Sequence, residues 1–129
     1  MRKLLCITLA ALFLTACQES LEEKCAKEAK LYTAKNCPSK IGENIIIDSM
    51  TFEQSTHTLH YYYRMTGIAD SVGALSIDNV KSTLVRDLRN TTAMKAYKDA
   101  GYSFAYTYRS EKNPSTILYD VTLSPEDYK

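Results

Sequence analysis

The sequence contains no tryptophan, only four glycines and three prolines in 129 residues, and no excess of either charge. Sixteen Lys and Arg against fifteen Asp and Glu give a formal charge of +1, so the chain has no basic surplus that would attract nucleic acid. The shortage of Gly and Pro, together with 45% hydrophobic residues, argues against a disordered chain. The composition therefore predicts a globular protein with a packed core and no nucleic-acid partner.

The N-terminus has the pattern of a secretory signal peptide. Arg2 and Lys3 precede an uncharged apolar stretch over residues 4–14, which is too short to span a bilayer at about 20 residues. Two small residues and a cysteine come next. The stretch LTAC at positions 14–17 resembles the lipobox of bacterial lipoproteins.

This resemblance implies how the N-terminus is processed. In that class of protein the chain is cut before the cysteine, here Cys17, which then carries diacylglycerol and a further acyl chain such as palmitate. Two or three acyl chains give stable attachment to a membrane. An aspartate after the cysteine favours the inner membrane in enterobacterial members of the class. Gln18 stands there, so the resemblance implies the outer membrane rather than the inner one.

The expected organisation is a signal peptide over residues 1–16 that is removed, a lipid-anchored tether over 17–20, and a single domain over 21–129 that faces the periplasm. Removal of the signal peptide leaves 113 residues, the size of one ordinary domain. It also removes two cations, so that 14 Lys and Arg remain against 15 Asp and Glu. The mature chain is close to neutral.

Two cysteines, Cys25 and Cys37, remain in the mature domain once Cys6 is removed and Cys17 is lipidated. An oxidising compartment favours a disulfide between them. A straight helix over residues 21–35 would instead hold their Cα atoms farther apart than the roughly 7 Å that a bridge allows. The sequence leaves two alternatives open: a helix that ends near Leu31 with a bridge, or a long helix with two free thiols.

Hydrophobic periodicity predicts the order of the structural elements. A first helix begins after Ser20, with Glu23 placed for a capping box, and ends before Cys37-Pro38. The remaining predicted elements are strands over 44–53 and 59–65, a helix from Ile77, a short helix that ends at Gly101, and strands over 102–110 and 116–123.

The predicted fold class is α+β: a single antiparallel sheet of about four strands with two helices packed on one face, in the order α-β-β-α-β-β. This order of elements is similar to that of cystatin-like and related small α+β folds of periplasmic proteins. The similarity concerns the order of elements alone, so it carries no function with it.

Ten tyrosines are the most unusual feature of the composition. Those at alternate strand positions are Tyr61, Tyr63, Tyr102, Tyr106, Tyr108 and Tyr119. Their alternation predicts the apolar face of a sheet beneath the helices. The competing interpretation is an exposed tyrosine face that stacks on sugar rings or anchors a protein. His60, Tyr62 and Arg64 lie on the opposite face of their strand, and they form the predicted binding surface.

No pattern in the sequence indicates a metal, cofactor or catalytic site. His57 and His60 are three residues apart, a spacing that points them to opposite faces of a strand, whereas zinc needs three or four converging ligands. No serine or cysteine is framed by turn-forming glycines, and the carboxylates lack the spacing of an acid–base pair. We therefore expect no cofactor, no metal, no catalytic residues and no enzyme activity.

The combined prediction is a membrane-anchored bacterial lipoprotein, attached through Cys17, whose non-catalytic domain binds a protein partner in the envelope. Roles that fit are an envelope-assembly accessory, an inhibitor or immunity factor, and an exclusion factor. A lipoprotein that binds carbohydrate or a small ligand through exposed tyrosines is the alternative, and a hydrolase of envelope material is a third class.

Overall fold

The computed structural model describes residues 19–129. The predicted signal peptide and the predicted lipidation site, Cys17, lie outside the described residues. In the described part of the chain, no helix is long and apolar enough to cross a membrane.

The described residues form one five-stranded sheet with helices packed on one of its faces. The strands are β1 (Ser39–Gly42), β2 (Ile45–Glu53), β3 (Thr58–Met65), β4 (Ser103–Ser110) and β5 (Ile117–Leu123). The helices are α1 (Leu21–Asn36), α2 (Ile77–Asn90), α3 (Lys95–Asp99) and α4 (Pro125–Tyr128). The α+β class is the predicted one.

Helix α1 begins where its capping residue predicts. The Ser20 hydroxyl accepts a hydrogen bond from the Glu23 backbone N–H at 3.1 Å, which satisfies one of the free donors of the first turn. The helix continues to Asn36 and ends before the Cys37-Pro38 pair. Its inner face buries Cys25 and Ala29 against the sheet. Of the two alternatives for this segment, the structure shows the long helix.

The strands lie in the order β1-β2-β3-β4-β5, and neighbouring strands are antiparallel except for β3 and β4. The prediction of a wholly antiparallel sheet is therefore wrong at this one pair. Helix α2 crosses over between the two strands, and a crossover connection returns the chain to the end at which it started. As a result β4 starts beside the start of β3, with Thr58 opposite Ser103.

Two further counts in the prediction are wrong. The sheet has five strands rather than about four, because the four-residue strand β1 is too short to show an alternating pattern. Four helices rather than two pack on the sheet: α3 is the short helix predicted before Gly101, whereas α4 was not predicted. The signal for α4 is present in the sequence: Ser124, Pro125 and Asp127 form a capping box with proline at the first helical position.

The outer edge of β2 is closed by a side chain of α1. Strand β1 pairs with β2 only over residues 45–47. Farther along, the Thr33 hydroxyl donates to the Met50 carbonyl at 2.8 Å and its oxygen accepts from the Met50 N–H at 2.9 Å. A single hydroxyl thus satisfies both backbone groups that this position of an edge strand would leave free.

The core lies between the helices and the tyrosine-bearing face of the sheet. Leu59, Phe104 and Leu123 lie side by side on three neighbouring strands and are almost fully buried. The predicted core role of Tyr102, Tyr106, Tyr108 and Tyr119 is confirmed, since all four are buried, while Tyr61 and Tyr63 are half-buried and pack against them.

Parallel pairing of β3 and β4 stacks these tyrosines across the strands. The rings of Tyr61 and Tyr106 lie 5.1 Å apart, and those of Tyr63 and Tyr108 lie 4.8 Å apart, with nearly parallel planes in both pairs. Each such pair contributes about 0.5–1.5 kcal/mol beyond the burial of its surface. The tyrosine content is therefore mainly a property of the core, not of an exposed stacking face.

Candidate functional site

The predicted binding residues His60 and Tyr62 lie on the face of the sheet opposite the helices, which we call the open face. Their rings stack with centroids 4.1 Å apart. His60 Nε2 lies 2.7 Å from the Thr107 hydroxyl, which donates to Asp120 at 3.1 Å. The Thr107 hydroxyl has a single hydrogen, which it donates to Asp120. The hydrogen between His60 and Thr107 is therefore on Nε2 of His60. These hydrogen bonds hold His60, Thr107 and Asp120 in place. Because Thr107 is buried, its hydroxyl is not available as a nucleophile.

Arg64, the third predicted residue, is also on the open face. Its guanidinium contacts Asp48 at 3.1 Å and Glu111 at 3.2 Å. The hydrogen bond to Asp48 raises the pKa of Arg64 above its ordinary value, with the charges of both carboxylates adding to the effect. The structure thus brings His60, Tyr62 and Arg64 to one face, but the guanidinium is already paired with two carboxylates. Their role as a binding surface stays a prediction.

The two cysteines of the domain are free. Because α1 runs to Asn36, about 17 Å of helical rise lies between Cys25 and the end of the helix, too far for a bridge to Cys37. Burial raises the pKa of the Cys25 thiol to about 11, so it is protonated at neutral pH. Within residues 19–129, no three His, Cys, Asp or Glu side chains come together as a metal site.

A concave apolar site lies between α2 and one end of the sheet, and we call it the α2 groove. Its volume is about 520 Å³. Ile45, Met65 and Tyr108 line it from the sheet, and Leu75, Val80 and Leu84 line it from the α2 side. Tyr108 is the one ionisable side chain of this lining, and burial raises its pKa to about 12, so the groove is uncharged at neutral pH.

The chain segment that leads into the groove-lining residue Leu75 is rich in exposed apolar side chains. Between β3 and the first turn of α2, four apolar side chains are exposed within ten residues: Ile68 (88%), Val72 (82%), Leu75 (42%) and Ile77 (64%). Single exposed apolar residues are ordinary, whereas several in one short segment that leads into a groove are typical of a surface that binds a protein or ligand. This segment and the groove together are the candidate functional site.

The groove and the start of the domain lie at opposite ends of the sheet. Near the start of α1, the two Glu22 carboxylate oxygens contact His57 Nε2 at 2.6 Å and the Gln54 amide at 2.8 Å, in the β2–β3 turn. These two hydrogen bonds hold the pKa of Glu22 below its ordinary value, and the one with His57 has the larger effect. The groove is lined by Ile45 and Met65, at the other ends of β2 and β3. The length of β3, about 23 Å, separates this end of the sheet from the β2–β3 turn.

Sequence reasoning missed this site. It predicted the helix from Ile77 but not that Val80 and Leu84, which pack against the core, also line a groove. The available signal was in the connection before α2, where Ile68, Val72 and Leu75 stand in a segment with neither helical nor strand periodicity. Apolar residues in an irregular surface segment are the kind of feature that marks a binding site.

The fold and the groove define a small α+β domain with an apolar site at one end of a five-stranded sheet. Residues 20–119 match the family described as a domain of unknown function, DUF8479. The match covers most of the chain, and the protein belongs to this family. No curated protein matches the sequence.

Three solved structures have the same fold. A candidate secreted protein from Pseudomonas aeruginosa is 16% identical with a TM-score of 0.67, over 87% of this chain and all of that one. The type II secretion system pilotin AspS from Vibrio cholerae is 19% identical with a TM-score of 0.62, over 83% of this chain and 91% of that one. The type 2 secretion system pilotin EpsS from Vibrio vulnificus is 15% identical with a TM-score of 0.67, over 84% and 92%. At these identities the likeness shows the fold alone.

Proposed function

We propose that this protein is a non-catalytic envelope lipoprotein, anchored in the outer membrane through Cys17, whose periplasmic domain binds a partner protein in the α2 groove. The observation that carries the proposal is the uncharged groove together with the segment 68–77, which exposes four apolar side chains and contributes Leu75 to the groove. The pilotins that share the fold belong to type II secretion systems, which supports an accessory role in an envelope assembly over an inhibitor, immunity or exclusion factor.

The position of the groove fits an anchored protein. Only residues 18–20 separate Cys17 from α1, so the end of the sheet near Glu22 and His57 would lie close to the membrane. The groove at the opposite end would then face the periplasm, about 23 Å farther out. A partner could reach it without contact with the lipid surface.

The proposed ligand of the groove is an apolar segment of a protein. A cavity of about 520 Å³ is also the size of a small-ligand site, for which about 300–1,000 Å³ is typical. A small molecule would be held inside the groove, however, and would leave Ile68 and Val72 exposed. A protein segment covers both the groove and this rim, which is why it is the better fit.

Crosslinking in intact cells tests the groove. A photoreactive residue in place of Ile68 is expected to give one reproducible protein adduct, and Leu75→Asp in the same chain is expected to reduce it at least tenfold, because the partner would have to bury a charge. The matched substitution Ile41→Asp changes another partly exposed apolar residue, on β1, and is expected to leave the adduct intact. A photoreactive residue at Tyr62 reports on the open face. An adduct there and none at Ile68 would place the partner on the wrong side of the sheet for this proposal.

The anchor is tested by Cys17→Ser. Without the thiol that carries the diacylglycerol, the protein is expected to lose its lipid anchor and to be absent from the outer membrane. Fractionation of inner and outer membranes, with the unaltered protein expected in the outer-membrane fraction, provides the measurement. Cys6→Ser is the matched control, because Cys6 lies in the predicted signal peptide and its replacement should change neither processing nor location. A Cys17→Ser protein that is processed normally and stays membrane-bound would contradict the lipid anchor.

A further inference from the structure

Strand β5 forms one edge of the sheet and is seven residues long. It pairs with β4 on one side, from Phe104 opposite Leu123 to Arg109 opposite Ile117. In an edge strand, every second residue directs its backbone N–H and C=O away from the sheet. Within residues 19–129, no segment other than β4 makes a backbone hydrogen bond to β5. The outer side of β5 therefore has the groups that a further strand would need.

The two edges of the sheet differ in how they are closed. On the β2 side, β1 covers residues 45–47 and the Thr33 hydroxyl takes both backbone groups of Met50. On β5 the described residues provide no such contact, and Asp120 and Thr122 are exposed. An edge strand of this length is a template for strand addition, a recurring way in which proteins bind extended peptides.

The Asp120 carboxylate restricts what can be added. One of its oxygens accepts the hydrogen bond from Thr107 at 3.1 Å, which fixes the carboxylate on the open face. No cationic side chain of the described residues forms an ion pair with it. An antiparallel second copy, in register on β5, would place Asp120 opposite Asp120, and like charges directly opposite each other are destabilising. An incoming Lys or Arg would instead complete a pair.

We propose that β5 is a docking edge for an extended segment of a partner protein that carries a Lys or Arg beside Asp120. Residues on either side of that cation point to the other face of the extended sheet. There they lie beside the half-buried Val121, so β-branched or aromatic side chains fit these positions. Main-chain hydrogen bonds hold the segment, and the Asp120 pair fixes its register. This edge is separate from the α2 groove and functions whether or not the groove is occupied.

A synthetic strand tests the proposal with the full protein, purified from membranes in detergent as the cell makes it. The probe is a fluorescent peptide of about nine residues, long enough to span the seven residues of β5, with alternating Thr and Val and a central Lys. Binding is measured by fluorescence anisotropy. Replacement of the central Lys by Glu is expected to weaken binding about fivefold or more. Asp120→Lys in the protein is expected to reverse this preference.

Backbone methylation distinguishes strand addition from other kinds of binding. One version of the peptide is N-methylated at the odd positions and another at the even ones. Because an added strand pairs along only one of its sides, one version is expected to lose binding and the other to keep it. Equal binding of both versions, or no binding of the Lys peptide at millimolar concentration, would overturn the proposal.

Two protein variants separate this edge from the groove and from self-association. Leu75→Asp alters the groove and is expected to leave peptide binding unchanged; a loss of binding in this variant would place the peptide in the groove and refute the β5 site. Asp120→Asn removes the charge that opposes a second copy, so any pairing of two copies through β5 is expected to be stronger in this variant than in the unaltered protein. The unaltered protein is expected to stay monomeric under conditions in which it binds the peptide, and a dimer that the peptide dissociates would identify a second copy as the occupant instead.

Discussion

Replacement of Phe104 by alanine is expected to lower the free energy of unfolding by about 3–5 kcal/mol. The ring is 0% exposed, lies between Leu59 and Leu123 on the neighbouring strands, and meets the Tyr128 ring edge-on at 5.7 Å. Its removal leaves a cavity that rigid strands on both sides cannot close. A loss of this size is a large part of the roughly 5–15 kcal/mol that stabilises a typical domain.

Chemical denaturation of the purified protein measures this loss. Ile117→Ala is the matched control, since Ile117 is also an apolar residue of an adjacent strand but is 46% exposed, and it is expected to cost less than about 1 kcal/mol. Phe104→Leu retains most of the volume and should give an intermediate value. A cost below about 1 kcal/mol for Phe104→Ala would mean that this ring does not occupy the centre of the core.

Replacement of Thr33 by valine is expected to cost about 1–3 kcal/mol, although the two side chains have nearly the same shape. The Thr33 hydroxyl satisfies both the N–H and the C=O of Met50, and valine would leave both groups without a partner in a partly buried position. The substitution would also open the β2 edge, so the variant is expected to aggregate more readily than the unaltered protein.

Hydrogen exchange locates the effect of this substitution. The Met50 amide is expected to exchange faster in Thr33→Val, while amides at the centre of β4 should change only in proportion to global stability. Thr33→Ser keeps the hydroxyl and is expected to retain the protection of Met50. If valine and serine gave the same exchange at Met50, the hydroxyl would not be what closes this edge.

Much of the domain could be predicted from local patterns. The start of the first helix was predictable because Ser20 and Glu23 are start signals that act within a few residues, and the Cys37-Pro38 pair marked the last position at which the helix could end. Strands β3 and β4 were predictable because their tyrosines alternate, and the alternation also identified their buried face. The same alternation placed His60, Tyr62 and Arg64 together on the opposite side.

Other features depend on contacts between distant residues. The direction of β4 relative to β3 follows from how α2 crosses the sheet, which no local pattern specifies. The α2 groove is of this kind too, because Ile45, Met65 and Tyr108 come from three strands and meet α2 only in the folded domain. The state of Cys25 and Cys37 was open in the sequence, since it turned on whether α1 continued past Leu31.

By itself, the sequence determined the α+β class, the start of the first helix, the tyrosine face of the sheet and the absence of a charge excess, because each of these follows from composition, from a local capping signal or from a period of two or 3.6 residues. Only the tertiary structure decided the parallel pair at β3 and β4, the closure of one sheet edge by Thr33, the exposed edge at β5 and the groove at α2. Each of these is a relation between segments far apart in the chain, and such relations are fixed by packing rather than by local preference.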